Sequence, residues 1–172
     1  MPRRKMRSNL TLGQLRDKLA YDPLTGEFTR TRGVRGWAAG SRVGCLRSDG
    51  RLVVRVNDKL YLRARLAWFY VHGRWPENEI DHINLDRSDD RLVNLREATT
   101  TQNHANAGLR RDNTTGIKGV SWSKEKLKWT AQIGSGRKLG YFNSAKDAKR
   151  AYDAAAQEMY GEFARSASCL QI

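Results

Sequence analysis

One stretch constrains this chain more than any other: EIDHINLDRSDDRLVNLREATTTQNHAN, running from Glu79 to Asn106. Ile80 and Ile83 flank an Asp81–His82 pair, which predicts a short strand beginning before the pair. Asp86–Asp90 reads as a polar turn, and Leu92–Ala98 as a returning second strand. Thr99–Asn106 opens on a hydroxyl suited to capping and reads as a helix. The chain has only three histidines and two cysteines, so any chemistry must come from a small set of side chains.

Charge is the strongest global signal. The 172 residues carry 32 Lys+Arg against 18 Asp+Glu, a net charge of +14. Residues 1–40 hold 9 basic and 3 acidic side chains (+6), residues 41–109 hold 11 and 9 (+2), and residues 110–172 hold 12 and 6 (+6). Two basic flanks around a balanced centre imply a polyanionic partner, nucleic acid ahead of an anionic membrane surface. No apolar run approaches the roughly 20 residues that span a bilayer. The basic start, Met1 to Arg7, lacks an apolar segment behind it and does not read as a secretory signal. Cys45 and Cys169 have no metal-ligand spacing, and a reducing cytoplasm fits them.

Further elements frame the central stretch. Thr11–Gln14 reads as a capping box opening a short helix, with Leu12, Leu15 and Leu19 on one face. Strands are expected at Glu27–Arg30, Arg51–Val56 and Lys59–Leu62, the last two joined by an Asn57-Asp58 turn. Thr31–Ser41, rich in Gly and Arg, reads as a loop or arm. Arg63–Tyr70 reads as a helix stopping near Gly73. Beyond a turn-rich boundary, Ile117–Trp122, Lys128–Ile133 and Lys138–Phe142 read as three strands. A helix capped by Ser144 and ended by Gly161 follows, with Ala148, Tyr152, Ala155 and Met159 facing the core. The fold class expected is α+β.

Hydrolysing a phosphodiester requires an activated water and a stabilised departing oxygen. A hard divalent cation held by oxygen ligands serves the second need, and an imidazole serves the first. Adjacent residues on a strand point to opposite faces, so Asp81 and His82 reach one phosphate only through a twist or bulge. The spacing of Asp81-His82, eleven residues, Asn94, eight residues and Asn103 resembles that of HNH nucleases of the phage and homing type. "RLAWFYVHGRWP" before it and "NLREATTTQNHAN" after it extend the resemblance over about Tyr21–Asn106. The resemblance implies a ββα-metal nuclease core with Asp81 and Asn103 as metal ligands, His82 as general base and Asn94 as brace, these four being the catalytic set. It implies Mg2+ or Mn2+, with zinc as the runner-up. Asn106 either supports the site or caps the helix, and His104 is a DNA contact or a bystander. Two departures stand out: Ala64 where relatives have a histidine, and Asp90 where an asparagine is usual.

"GIKGVSWSKEKLKWTAQI" with "RKLGYFNSAKDAKRAYDAAAQEMYGEFA" resembles the Apetala-two/ethylene-response-factor DNA-binding domain. The resemblance implies a three-stranded antiparallel sheet packed on one helix and lying in a DNA major groove. Its candidate contacts are Lys118, Ser121, Trp122, Lys128, Gln132, Arg137 and Lys138, while Trp129 is expected in the core. The organisation expected is a basic arm, helix and hairpin region (1–60), a nuclease core (61–109), a linker (110–116), a DNA-binding domain (117–166) and a tail (167–172). The expected function is metal-dependent cleavage of double-stranded DNA at a selected site, in a bacterial cytoplasm and of phage or mobile-element origin. Neither a membrane nor a small-molecule cofactor is expected. The alternative is a DNA-binding regulator that keeps a decayed nuclease fold.

Overall fold

A computed structural model describes residues 10–165; the basic start, Cys169 and the 167–172 tail lie outside the described residues. The class is α+β, with four helices and several small antiparallel sheets. Two compact units divide between Glu97 and Ala98, ahead of the expected 110–116 linker.

In the first unit, Thr11 and Gln14 form the expected reciprocal capping box and start α1 (Leu12–Lys18). Leu19 does not continue the helical face. It opens β1 (Leu19–Asp22), where alternation still turns its side chain into the core. β1 pairs with β2 (Glu27–Arg30), and β2 with β3 (Arg42–Val43). A second sheet holds β4 (Cys45–Leu46), β5 (Leu52–Val56) and β6 (Lys59–Leu62). Asn57 and Asp58 have φ of 48° and 59°, the left-handed pair that a two-residue hairpin turn demands. The short strands β3 and β4 give too few residues for a periodic signal.

β6 runs directly into α2 (Arg63–His72), which stops at Gly73, φ 69°, whose N–H donates to the Phe69 carbonyl. Leu66, Ala67 and Phe69 pack into one core with Leu15, Phe28, Val54 and Val56. Ala64, a departure from the resembled pattern, is buried in the same core and serves packing. β7 (Glu79–His82) pairs with β8 (Leu95–Ala98). The second strand is shorter than the expected Leu92–Ala98, because Leu92–Asn94 winds into a 3-10 turn.

The second unit begins with the capped helix α3 (Thr100–Asn106), whose Thr99 and Gln102 form another capping box. β9 (Val120–Ser123), β10 (Lys128–Ile133) and β11 (Arg137–Phe142) form one antiparallel sheet with β10 in the centre. β9 starts three residues later than Ile117 because the chain ahead of it is tied into a turn. Asn113 Oδ1 accepts from the N–H groups of Thr115 and Gly116, and the Thr115 hydroxyl donates to the Val120 carbonyl. α4 (Ala145–Tyr160) packs on this sheet through Ala148, Tyr152 and Ala156. Met159, expected in that stripe, is 44% exposed, because the buried row follows i, i+4, i+8 and drifts away from it.

Gly119 is where sheet and helix approach closest. It has φ +71°, and a Cβ there would collide with the Tyr152 ring and lie 2.6 Å from the Gln132 carbonyl oxygen. Gly119→Ala is expected to destabilise the second unit by about 2 kcal/mol or more, through both strain and overlap. Thermal unfolding at the wild-type temperature would contradict this packing.

Candidate active site

His82 ends β7, and the chain then makes a polar turn that knits itself together. Asn84 Oδ1 accepts from Asp86 N–H (2.8 Å), Asp86 Oδ1 accepts from Ser88 N–H (2.9 Å), and Asn84 Nδ2 donates to Asp89 Oδ2 (2.8 Å). Arg91 grips Asp89 through Nε (2.8 Å) and Nη2 (2.6 Å) and holds its carboxyl down at about 2. Asn94 closes the turn from the far side. Its Oδ1 accepts from Asn84 N–H (3.0 Å), its Nδ2 donates to the Asp89 carbonyl (2.7 Å), and its own carbonyl accepts from Ile83 N–H (3.0 Å). With these bonds in place Leu92–Asn94 leaves extended geometry for the 3-10 turn.

Asp81 and His82 are both buried, at 3% and 7% exposure, and engage different partners. Arg96 on β8 donates through Nε to Asp81 Oδ2 at 3.0 Å. His82 Nε2 lies 2.8 Å from Asp90 Oδ1. Asp90, only 1% exposed, is the residue that sequence reasoning undervalued. Its Oδ2 accepts from Arg63 Nε (2.6 Å), and its carbonyl accepts from the Tyr21 hydroxyl (2.8 Å). Burial raises the Tyr21 phenol, and the Asp90 charge adds to the rise. Gly26 makes room for this packing, since a Cβ there would sit 2.5 Å from Asp90 C and Arg91 N. The signal for Asp90 was present, an acid departing from the resembled pattern, but its partners are 8 and 27 residues away.

The first unit therefore brings Asp81, His82 and Asn94 into one turn-and-strand element, and Asn103 belongs to the second unit. There Asn103 sits half-buried on α3, with His104 exposed and Asn106 buried. Ala98, Ala105 and Phe163 form a small core under α3. Lys118 reaches back to its C-terminal end, where Nζ donates to the carbonyls of Ala105 (2.5 Å), Ala107 (2.5 Å) and His104 (3.3 Å). An ammonium is well suited to unsatisfied carbonyls at the negative end of a helix. Lys118 is thus engaged at the end of α3.

The other expected contacts divide by strand register. Residues directly opposite in a ladder share a face. Thr130 opposes Ser121 and Tyr141, Lys128 opposes Ser123, and Gln132 opposes Lys138, so these form the face away from α4. The Thr130 hydroxyl in that row is buried and has no hydrogen-bond partner. Trp122 opposes Trp129, its ring 5.4 Å away and edge-on, and Trp129 packs on the core as expected. Arg137 opposes the buried Ile133. Trp122 and Arg137 therefore lie on the helix-facing side, apart from Ser121, Lys128, Gln132 and Lys138.

Among the described residues no group of three His, Cys, Asp or Glu is clustered to hold a metal ion, which removes zinc's preferred ligand set.

Asp90→Ala is expected to cost about 3–5 kcal/mol by leaving the buried Arg63 guanidinium without its carboxylate partner. Chemical denaturation measures this, and a loss near zero would deny the pair its structural role. Burial, aided by Arg165, lowers the Lys118 ammonium from 10.5 to about 8. The folded chain then binds fewer protons than the unfolded one between those values, so stability rises with pH across that window. Lys118→Met should remove that component of the rise, and identical pH slopes for the two proteins would contradict it.

Residues 61–105 match the HNH endonuclease family. The chain is 34% identical over 102 residues to "Protein 3.8" of Escherichia phage T7, covering 58% of this chain and 84% of that protein. No solved structure matches significantly. The chain belongs to one family with this phage protein, and its residues 61–105 are an HNH endonuclease family domain.

Proposed function

We propose that the protein is a metal-dependent endonuclease of phage or mobile-element origin that hydrolyses phosphodiester bonds in double-stranded DNA at a selected site. One observation carries the reading: within an HNH domain, His82 is held by a buried carboxylate that is itself held by an arginine. His82 Nε2 lies against the Asp90 carboxylate, which orients the ring, and the proposed base function falls to the other ring nitrogen, Nδ1. When that nitrogen takes a proton from water, the imidazolium forms beside an anion already in place. Arg63 fixes the position of Asp90.

Asp81 and Asn103 are the proposed ligands of Mg2+ or Mn2+, in keeping with their oxygen chemistry. The cation supplies charge stabilisation at the phosphate and the departing 3′ oxygen. Arg96 balances the buried Asp81 carboxylate. Asn94 holds the turn that carries His82 between its bonds to Asn84 and Asp89. The second unit, read as an Apetala-two/ethylene-response-factor-like domain, grips DNA with the sheet face of Ser121, Lys128, Gln132 and Lys138. Lysines there meet phosphates, and the Gln132 amide is able to read a base edge.

A plasmid-nicking assay on the full chain tests the reading. His82→Ala should lower the cleavage rate about 10²–10⁴-fold while DNA affinity stays near wild type. Wild-type cleavage should stop in excess chelator and return with magnesium or manganese. Cleavage by the His82→Ala protein at the wild-type rate would remove the base, and cleavage in chelator would remove the metal. DNA binding without cleavage under any metal would instead identify a binding protein with a decayed nuclease fold.

A further inference from the structure

The segment between β2 and β3 is a built arm. At its base Arg30 N–H donates to the Ser41 carbonyl (3.0 Å), Gly40 N–H to the Arg30 carbonyl (2.8 Å), and Thr31 N–H to the Lys18 carbonyl (3.1 Å). At its tip Val34 and Trp37 exchange backbone hydrogen bonds of 2.9 and 2.8 Å around the two-residue turn Arg35-Gly36, with Gly36 at φ +83°. Every residue from Thr31 to Gly40 is exposed, yet the arm carries Val34 at 51% and Trp37 at 58% exposure on either side of Arg35. A backbone fixed this firmly holds an indole and an aliphatic side chain in water, where the hydrophobic effect disfavours them.

A cleft of about 300 Å³ lies at the foot of the arm, and its lining includes Lys18, Arg30, Arg32 and Arg55 against the carboxylate of Asp17. Arg32 is paired with Asp17, and Lys18 donates to Asn57 Oδ1. Arg30 stacks its guanidinium 5.6 Å from the Trp37 ring centre, and its buried Nε has no hydrogen-bond partner. The chemistry that satisfies all of these together is a phosphodiester backbone with a flat, partly apolar surface beside it. Phosphate oxygens suit the guanidinium donors, and sugar or base faces suit the indole.

We propose that this arm and cleft form a second contact for duplex DNA, separate from the C-terminal sheet. The cleft takes a backbone phosphate at Arg30, and the Val34–Trp37 tip enters the adjoining groove. The identity of the polyanion rests on the nuclease reading above; the geometry of the site does not.

The test uses the full chain carrying His82→Ala, so that bound DNA stays intact, and a labelled duplex titrated at two salt concentrations by fluorescence anisotropy. Added Trp37→Ala should weaken binding about five-fold or more with little change in salt dependence, because stacking releases no counterions. Added Arg30→Gln should weaken binding and flatten the log–log salt slope by about one. Leu24→Ser, at another exposed apolar site of the same unit, should change neither. Circular dichroism should show all three folded. Affinities and slopes equal to the parent's would overturn the arm and leave the nuclease reading standing. A deficit seen on single strands only would overturn groove docking, and a parent that binds no DNA would overturn the nuclease reading together with the arm.

Discussion

The first unit depends on one buried carboxylate. Asp90 is 1% exposed, and an isolated charge at that depth is too costly to keep. Its two oxygens are accordingly shared between Arg63 at the start of α2 and His82 at the end of β7. Its backbone is fastened to β1 by Tyr21 and walled by Gly26. Three chain segments far apart in sequence must arrive in register before the charge is satisfied. The same arrangement that makes the turn rigid also orients the imidazole.

The second unit is built on different terms. Its core is small and alanine-rich, which brings α4 close enough to the sheet that Gly119 has no room for a side chain. Its polar investment is in caps: Thr99 and Gln102 at one end of α3, Lys118 at the other, and Ser144 with Asp147 at the start of α4. Short helices are marginal by themselves, and a helix as short as α3 holds its shape through such end contacts and through Ala105 and Phe163 beneath it.

Local features were legible in the sequence. The Thr11 capping box, the Thr99 and Ser144 caps, the Asn57-Asp58 hairpin and the Gly73 stop follow from residues a few positions apart, and each stands where expected. The strand–turn–strand–helix order around Asp81-His82 was readable for the same reason. What escaped was set by partners distant in sequence or by registry. Asp90 read as a minor substitution because neither Arg63 nor Tyr21 is adjacent to it. Lys118 read as a surface cation because the carbonyls it meets belong to another element. That Trp122 and Arg137 share a side of the sheet with Trp129 and Ile133 is visible only in the ladder register. Met159 was misplaced by extending a stripe one turn too far.

The attachment of α3 to the C-terminal sheet bears on how such genes are able to recombine. A crossover in the turn-rich stretch 110–116 looks harmless in sequence, but it would supply α3 from one parent and Lys118 and Phe163 from another. Hybrids joined there would inherit a helix without its own anchor. A join between Glu97 and Ala98 keeps helix, lysine and phenylalanine in one inherited block, so viable chimaeras should have their seams inside the stretch from Asp81 to Asn106 and not after it.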